Sequence, residues 1–252
     1  MRKKATPSEG DSLVFGIHPV TQALESAKPV SMCITSSAPA ELVKEAHRRN
    51  IPVENLTTSE MDVLTGNGTH QGIVLFIEGY KYARWDDFIE EMHKPSKEGR
   101  TVVFLDRITD PRNLGAVLRS AYLFGVRATV LPFNQSAKVT AGTIKSSVGA
   151  ALLTDVIRVT NLATACREMR EAGFKIVGLK MDGKPIFESD LSGDVVIITG
   201  SEDRGIRPGL ESLCDEMISI PMMSSSVGSF NASVSAGIAL YEVTRQKSPK
   251  TN

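Results

Sequence analysis

Near its carboxyl end the chain contains the segment Ile218-Ser-Ile-Pro221-Met-Met-Ser-Ser-Ser-Val-Gly-Ser-Phe-Asn-Ala-Ser-Val-Ser-Ala-Gly-Ile-Ala-Leu-Tyr241. A strand-like apolar run ends at Pro221, and a loop of serines and glycine leads into a helix with apolar residues at helical spacing. The loop offers backbone N–H groups, hydroxyls and one amide, but no charged side chain. It suits a ligand with a polar edge that is held mainly by backbone contacts. The alternative is a polar loop that only caps the helix.

Two earlier segments share this organisation. In the first, a buried strand at 101–106 is followed by a turn and by a helix at 113–124, with Gly125 just past its end as a left-handed cap. In the second, a strand at 194–200 runs into the loop Ser-Glu-Asp-Arg-Gly. Loops at the carboxyl ends of strands bind ligands in open α/β sheets, so we expect the three loops to form one site.

The remaining sequence also alternates strands and helices and predicts an α/β protein of two domains. Residues 13–78 predict a small α/β sandwich, residues 79–100 a linker, and residues 101–252 a larger sheet domain. Within the last domain we expect a helix near Ala141–Leu152 and a strand at Lys175–Leu179. Topology rules alone favour an open sheet without a knot.

Composition excludes several classes of protein. The chain has 29 Lys+Arg and 29 Asp+Glu, so a large basic nucleic-acid surface is not expected and any RNA contact must be local. No apolar run approaches the roughly 18 residues of a membrane span. Residues 1–12 are basic and polar without a signal-type apolar stretch, so we expect a disordered leader, or alternatively an arm that touches RNA.

Cysteine and histidine spacing gives no metal-binding pattern. The chain has 3 cysteines and 4 histidines, all scattered. We therefore expect no metal, and reduced thiols in a cytoplasmic location. The sequence contains neither a Gly-x-Gly-x-x-Gly turn nor a Walker A motif, which argues against a dehydrogenase, a Rossmann-type methyltransferase or a P-loop enzyme.

In order and spacing, the three segments resemble the three motifs of the SpoU (TrmH-like) RNA ribose 2′-O-methyltransferases, a family of the SPOUT superfamily. The matches run from Asp106 to Ala121, from Gly200 to Gly205, and from Ile220 to Val234. Two positions depart from the family pattern. Phe230 stands where the family usually has Leu, and Ala232 where it usually has Val, which changes the shape of the pocket rather than its chemistry.

The resemblance implies a C-terminal SPOUT α/β methyltransferase domain with a deep trefoil knot, formed by the second and third motif loops. It also implies a small N-terminal α/β/α domain, similar to a ribosomal protein, that binds the RNA substrate. Phe15-Gly16-Ile-His18 and His70-Gln71-Gly72 look like family signatures at the first and last strands of that domain, or else they are a turn and the start of a strand. Neither histidine is expected to be catalytic.

The family resemblance further implies S-adenosyl-L-methionine as cofactor, bound in a bent form by the second and third motif loops. The expected cofactor-binding residues are Thr199, Gly200, Ile220, Met222 and Phe230. The expected catalytic residues are Asn113, Arg119, Glu202, Ser229 and Asn231.

Arg119 is the residue that matches the activating position of the family. A ribose 2′-hydroxyl must lose its proton, or its developing alkoxide must be stabilised, before it can accept a methyl group. Free arginine keeps its proton far above pH 7. Either the pocket makes Arg119 give up that proton, or Arg119 stabilises the oxyanion while phosphate or water takes the proton. We expect Asn113 to orient Arg119 or the ribose, and Glu202 to hold a substrate group or to pair with Arg119.

RNA and a second copy of the chain are the implied partners. The two-domain layout looks most like enzymes that methylate a guanosine of large-subunit ribosomal RNA, with tRNA methylation or a non-catalytic RNA-binding assembly factor as alternatives. Trp85 either packs at the domain junction or stacks on RNA. The candidate RNA-contacting cations are Arg107, Arg112, Arg119, Arg127, Lys138 and Lys145. Homodimerisation is expected to bury part of an apolar surface on helices 113–124 and 232–246, formed among others by Leu114, Leu118, Ala121, Val234, Ile238 and Tyr241.

Overall fold

A computed structural model describes residues 11–223 and 228–248. Most of the predicted leader, and positions 224–227 of the third motif loop, lie outside these residues. In chain order the strands are β1 (Ser12–Phe15), β2 (Pro29–Ile34), β3 (Val53–Asn55), β4 (Ile73–Ile77), β5 (Thr101–Leu105), β6 (Ala128–Pro132), β7 (Val156–Val159), β8 (Lys175–Pro185), β9 (Val195–Thr199) and β10 (Glu216–Ser219). The α-helices are α1 (Ile17–Ser26), α2 (Ala40–Arg48), α3 (Thr58–Thr65), α4 (Trp85–Met92), α5 (Pro111–Leu123), α6 (Ala141–Ser146), α7 (Leu162–Glu171), α8 (Pro208–Glu211) and α9 (Ala232–Lys247).

The described chain forms two compact units. The first contains residues 11–81 together with 138–153, and the second contains 82–137 with the remaining residues from 154 onward. The segment 138–153 thus groups with the amino-terminal unit, whereas the sequence suggested a single division near residue 100. A contact between α6 and β1 ties this segment to the first unit.

The first unit is a four-stranded sheet in the order β1-β4-β2-β3. β4 pairs antiparallel with β1 and β2, while β3 is parallel to β2. All five residues of β4 are buried because this strand lies inside the sheet. α3 begins with a capping box in which Thr57 and Glu60 satisfy each other's backbone N–H groups.

The helix predicted near Ala141–Leu152 is interrupted. α6 ends at Ser146, and a 3-10 turn follows at Ala150–Leu152. Between them Val148 and Gly149 adopt φ angles of 56° and 90°, which reverse the chain. A Cβ at Gly149 would lie 2.8 Å from Gln22 Cβ, so the close approach to α1 requires glycine.

The second unit is a six-stranded sheet in the order β10-β8-β9-β5-β6-β7. Every neighbouring pair is parallel. β5 and β9 lie at the centre, and all their residues are buried, as expected for strands covered on both faces. β8 is longer than predicted and continues to Pro185, with a register shift opposite Met217/Ile218.

Helix α5 starts earlier than its apolar pattern indicated. Asp110 caps it by accepting a hydrogen bond from Arg112 N at 2.8 Å, and Pro111 occupies the first turn, where its missing N–H has no cost. Asn113 therefore lies inside the first turn rather than at its cap. Gly125 follows the helix with φ 66°, which confirms the predicted left-handed position.

Trp85 packs on the core of the second unit. Its ring lies 5.8 Å from Phe88 and 6.2 Å from Phe104, and its Nε1 donates a hydrogen bond to Glu168. These contacts favour the packing alternative for Trp85.

Candidate functional site

The carboxyl ends of β8, β9 and β10 surround a cavity of about 600 Å³ in the second unit. Its wall includes Leu179 to Asp182 from β8, the loop Thr199 to Ile206 after β9, and Ile220, Met222, Gly228, Ser229 and Phe230 from the third motif. The volume and mixed apolar and backbone lining are typical of small-ligand sites. The sequence expectation that the second and third motif loops meet is therefore confirmed by geometry.

The loop after β9 is folded tightly on itself. A Cβ at Gly200 would collide with the backbone of Gly205, so this crossing excludes every residue except glycine. Gly205 N donates a 2.8 Å hydrogen bond to Ser201 O, and Gly205 adopts φ 62°. The turn leaves Glu202 exposed beside the cavity.

Three side chains, one from each motif, meet at the rim of the cavity. Glu202 Oε1 accepts a hydrogen bond from Asn113 Nδ2 at 2.8 Å and one from Asn231 Nδ2 at 2.5 Å. Asn231 Nδ2 also lies 3.0 Å from Asn113 Oδ1. The carboxylate therefore holds two amides, and charge-assisted hydrogen bonds of this kind are the stronger ones.

Asn231 also caps the amino terminus of α9. Its Oδ1 accepts hydrogen bonds from Ser233 N at 2.9 Å and from Ser233 Oγ at 2.6 Å. Because the same side chain also contacts Glu202, the start of α9 and the loop after β9 are fixed relative to each other. The sequence allowed a polar loop that only caps the helix. Asn231 does cap α9, and the same side chain also takes part in the site.

Arg119 lies on the exposed side of α5, six residues beyond Asn113. Its side chain forms no hydrogen bond or ion pair with any residue that the structure describes. The expected pairing of Arg119 with Glu202, and its orientation by Asn113, are therefore not found. Glu202 and Asn113 are hydrogen-bonded to each other instead: Asn113 lies in the first turn of α5, whereas Arg119 lies in the third.

The expected cofactor contacts all line the cavity: Thr199, Gly200, Ile220, Met222 and Phe230. Sequence reasoning missed the wall that β8 contributes at Leu179 to Asp182, because the predicted strand stopped at Leu179. Lys180 in that wall pairs with Glu211 at 3.3 Å and Asp182 at 3.7 Å. Its hydrogen bond with Glu211 is the main cause that raises the pKa of Lys180.

The six cations proposed as an RNA footprint differ in their surroundings. Three are engaged within the protein: Arg107 with Gly205 O, Arg127 with Glu91, and Lys145 with Thr69 O. The side chains of Arg112, Arg119 and Lys138 are exposed and have no such partner in the described part of the chain. All six stay predictions, and the latter three have the side chains with the fewest competing contacts among the described residues.

A shallow apolar groove of about 480 Å³ runs between α5 and α9. Val234, Ile238 and Tyr241 line it, and Val234 and Tyr241 are 47% and 57% exposed. Leu114, Leu118 and Ala121, expected on the same surface, are buried inside the unit and unavailable to a partner.

Other reactive side chains lie away from this chemistry. Burial raises the pKa of Cys166 to about 12 and that of Cys214 to about 11, so these thiols stay protonated at neutral pH. His70 Nδ1 accepts a hydrogen bond from Gly72 N and its Nε2 contacts Asp62, which is a structural arrangement. Among residues 11–223 and 228–248 there is no cluster of three metal-ligating side chains, and no helix long and apolar enough to cross a bilayer.

Comparison with known proteins gives a consistent result. The profile of the SpoU rRNA Methylase family matches residues 100–241, and a profile described as RNA 2′-O ribose methyltransferase substrate binding matches residues 13–83. An uncharacterized tRNA/rRNA methyltransferase of Mycolicibacterium vanbaalenii is 36% identical over 247 residues, which cover 95% of this chain and 78% of the relative. A protein of the same description from Mycobacterium ulcerans is 36% identical over 242 residues, covering 93% and 77%.

Solved structures share the fold. The SpoU methyltransferase AviRb of Streptomyces viridochromogenes, in complex with AdoMet, superposes with a TM-score of 0.79 at 24% identity, covering 94% of this chain and 90% of AviRb. An AdoMet-bound rRNA methyltransferase of Sinorhizobium meliloti gives a TM-score of 0.78 at 23% identity, covering 93% and 87%. Since the methylase profile matches more than half of the sequence and relatives align along nearly all of it, the chain belongs to the SpoU rRNA methylase family.

Proposed function

We propose that this chain is an S-adenosylmethionine-dependent RNA methyltransferase that methylates a ribose 2′-hydroxyl, with a guanosine of large-subunit (23S) ribosomal RNA as its target. The observation that carries the proposal is the hydrogen-bonded group of Asn113, Glu202 and Asn231 at the rim of a ligand-sized cavity. Family membership supports RNA methylation, and the two-domain layout supports ribosomal RNA over tRNA.

The cavity fits the proposed cofactor. Its volume lies within the range of small-molecule sites, and Leu179, Ile220 and Phe230 offer apolar surface for an adenine ring. Gly200, Gly205 and Gly228 also line this space, and they bring backbone without side chains to its wall. The two structural neighbours bound to AdoMet support this assignment. S-adenosylmethionine bound there would supply an electrophilic methyl group.

We assign the catalytic work to side chains of the three motifs. Arginine keeps its proton well above neutral pH, so Arg119 is proposed to stabilise the developing 2′-alkoxide while water or phosphate takes the proton. Glu202 is proposed to hold the amides of Asn113 and Asn231 in place for the ribose. Ser229, which lines the cavity, is proposed to bind substrate or cofactor.

Residues 13–78 are proposed to bind the RNA substrate. The match of residues 13–83 to a substrate-binding profile supports this role. A cytoplasmic location, supported by the scattered cysteines, and a trefoil knot through the second and third motif loops, supported by the family resemblance, complete the proposal.

A homodimer is proposed as the working form. The apolar groove between α5 and α9 supports this assembly because it leaves large apolar side chains facing solvent. Two copies joined through this groove would each place the amino-terminal part of α9, which carries Asn231, near the partner.

The decisive test uses the purified chain, S-adenosylmethionine labelled in its methyl group, and total RNA from cells that lack the gene. We expect label in large-subunit ribosomal RNA, at one guanosine. The phosphodiester bond on the 3′ side of that guanosine should resist alkaline cleavage after the reaction, because its 2′-oxygen is methylated. Label in tRNA would move the target to tRNA, and label on a base would refute 2′-hydroxyl chemistry. Cofactor binding without transfer to any RNA would instead indicate a non-catalytic assembly factor.

A further inference from the structure

Asp106 is a carboxylate with no exposure to solvent, located immediately after the central strand β5. It lines neither the cavity nor the groove. Its Oδ2 accepts a hydrogen bond from Arg207 N at 2.9 Å, and its Oδ1 lies 2.8 Å from Arg207 Nη2. A buried charge is costly unless it is paired and hydrogen-bonded, and Arg207 supplies both kinds of contact here.

Arg107 holds the same loop from its other side. It adopts φ 61°, a left-handed conformation that non-glycine residues rarely take. Its Nη2 donates a 3.2 Å hydrogen bond to Gly205 O, and its Nε lies 3.8 Å from Asp106 Oδ2. Asp106 and Arg107, the two residues that follow β5, therefore both form hydrogen bonds with the segment from Gly205 to Arg207.

Residues 205–207 form the end of the loop after β9, and this loop lines the cavity. Gly205 closes against Gly200, and residues from Thr199 to Ile206 line the cavity. Glu202, at the tip of this loop, holds Asn113 and Asn231. Any displacement of Arg207 would consequently move both the cavity wall and the carboxylate at its rim.

We propose that Asp106 is a positioning residue: through Arg207, its buried carboxylate presets the 200–207 loop for cofactor binding and for methyl transfer. This inference rests on the proposed function for its enzymatic consequences. The geometric part, an ordered loop held by Asp106, is independent of which ligand the cavity takes.

An ion pair at the opposite ends of β5 and β9 provides a matched control. Arg100 and Asp194, just before β5 and β9, form an ion pair of 2.5 Å with side chains 13% and 20% exposed. Asp194→Asn removes a carboxylate that, like Asp106, accepts a hydrogen bond from the backbone N–H of its arginine partner, but at the ends of the strands away from the cavity. Both Asp106→Asn and Asp194→Asn are expected to lower the unfolding midpoint, because each leaves an arginine without its partner.

Only Asp106→Asn is expected to change the site. We expect cofactor affinity and turnover to fall by roughly 10- to 100-fold, the usual cost when a group that holds a functional side chain is removed. Backbone amides of 201–207 should exchange hydrogen faster without cofactor. Calorimetry with S-adenosylmethionine measures the affinity, and hydrogen exchange followed by mass spectrometry measures the exchange of the amides. Arg207→Lys, which keeps the charge and the backbone N–H but loses the fork, should show the same pattern more weakly if Asp106→Asn does not fold.

The possible outcomes separate the two ideas. Unchanged exchange at 201–207, or equal losses of affinity in Asp106→Asn and Asp194→Asn, would overturn the positioning role. If the unaltered protein binds no S-adenosylmethionine while Asp106→Asn still loosens 201–207, the positioning role stands and the proposed function falls.

Discussion

Glu202 is the single carboxylate in a group of three polar side chains, and its charge orders two amides. Glu202→Gln keeps the shape and one acceptor oxygen, but it removes the negative charge that strengthens the hydrogen bonds from Asn113 Nδ2 and Asn231 Nδ2. We expect turnover to fall roughly 10- to 100-fold, because misplaced groups lose transition-state contacts. Single-turnover methylation measures this, with Glu188→Gln, an exposed carboxylate of the same unit, as the control that should retain full activity.

Substitution of Arg119 shows whether activation of the 2′-hydroxyl and binding of the cofactor depend on different residues. It comes from the first motif, whereas the cavity wall comes from other segments. We expect Arg119→Ala to lower methyl transfer by about 100- to 1,000-fold or more while calorimetric affinity for S-adenosylmethionine stays near that of the unaltered protein. Arg119→Lys should also fail, because a point charge does not reproduce the planar fork.

The matched control for Arg119 is Arg167→Ala. Arg167 is an exposed arginine on α7 whose side chain has no hydrogen bond or ion pair with the described residues. Near-normal turnover of Arg119→Ala would remove it from the chemistry. Loss of cofactor binding by a folded Arg119→Ala would place it in the cofactor site instead.

At the scale of elements, α5 and α9 pack on each other and leave their shared groove open. Tyr241→Glu puts a charge into this groove, three helical turns away from Asn231. If the groove joins two copies, the variant should elute as a monomer of 27.3 kDa, while the unaltered protein elutes at twice that mass at micromolar concentration. Light scattering measures both.

The control for this change is Val63→Glu. Val63 is 84% exposed on α3, so a charge there should leave the mass unaltered. A dimeric Tyr241→Glu would show that the interface lies elsewhere. An unaltered protein that stays monomeric would refute the proposed assembly.

At the scale of the whole molecule, the balanced charge makes RNA affinity depend on a few cations. Arg112 is exposed beside Asn113 and has no side-chain partner among the described residues. Arg112→Gln should weaken RNA binding and reduce by about 1 the slope of log affinity against log salt. Filter binding across a salt series tests this, and Arg167→Gln should leave the slope unchanged. An unaltered slope in Arg112→Gln would remove Arg112 from the RNA contact.

Stability of the whole chain should depend on pH through Lys247. Burial lowers the pKa of this lysine from 10.5 to about 8, although Asp194 acts in the opposite direction. Its Nζ donates to Thr101 Oγ1 at 2.7 Å. Between about pH 8 and 10.5 the unfolded chain holds a proton that the folded chain has released. The free energy of unfolding should therefore rise with pH across this window, by on the order of 1 to 3 kcal/mol from Lys247.

Urea unfolding of the unaltered protein and of Lys247→Met isolates this contribution. The difference between the two should increase from pH 8 to 10.5 and remain constant below pH 7. Lys44→Met, a change at an exposed lysine, should show no such trend. A difference that stays flat would mean that Lys247 titrates normally in the folded protein.

Local sequence determined most elements of this protein. The buried runs of β5 and β9, the left-handed position of Gly125 and the start of α9 were predictable, whereas the cap at Asp110 was not. Apolar periodicity and capping are written within a few neighbouring residues, so one sequence suffices to recognise them. The SpoU motifs added the family, because their order and spacing are highly specific.

Tertiary structure alone decided which partners the site residues take. Asn113 and Glu202 are 89 residues apart and Asn113 and Asn231 are 118 apart, and their contacts follow from the order of the strands in the sheet. That order brings Glu202 to two asparagines rather than to Arg119. It also buries Asp106 against the loop that contains Arg207, a residue 101 positions away in the chain. Such choices depend on sums of many weak long-range contacts, which no local pattern in the chain records.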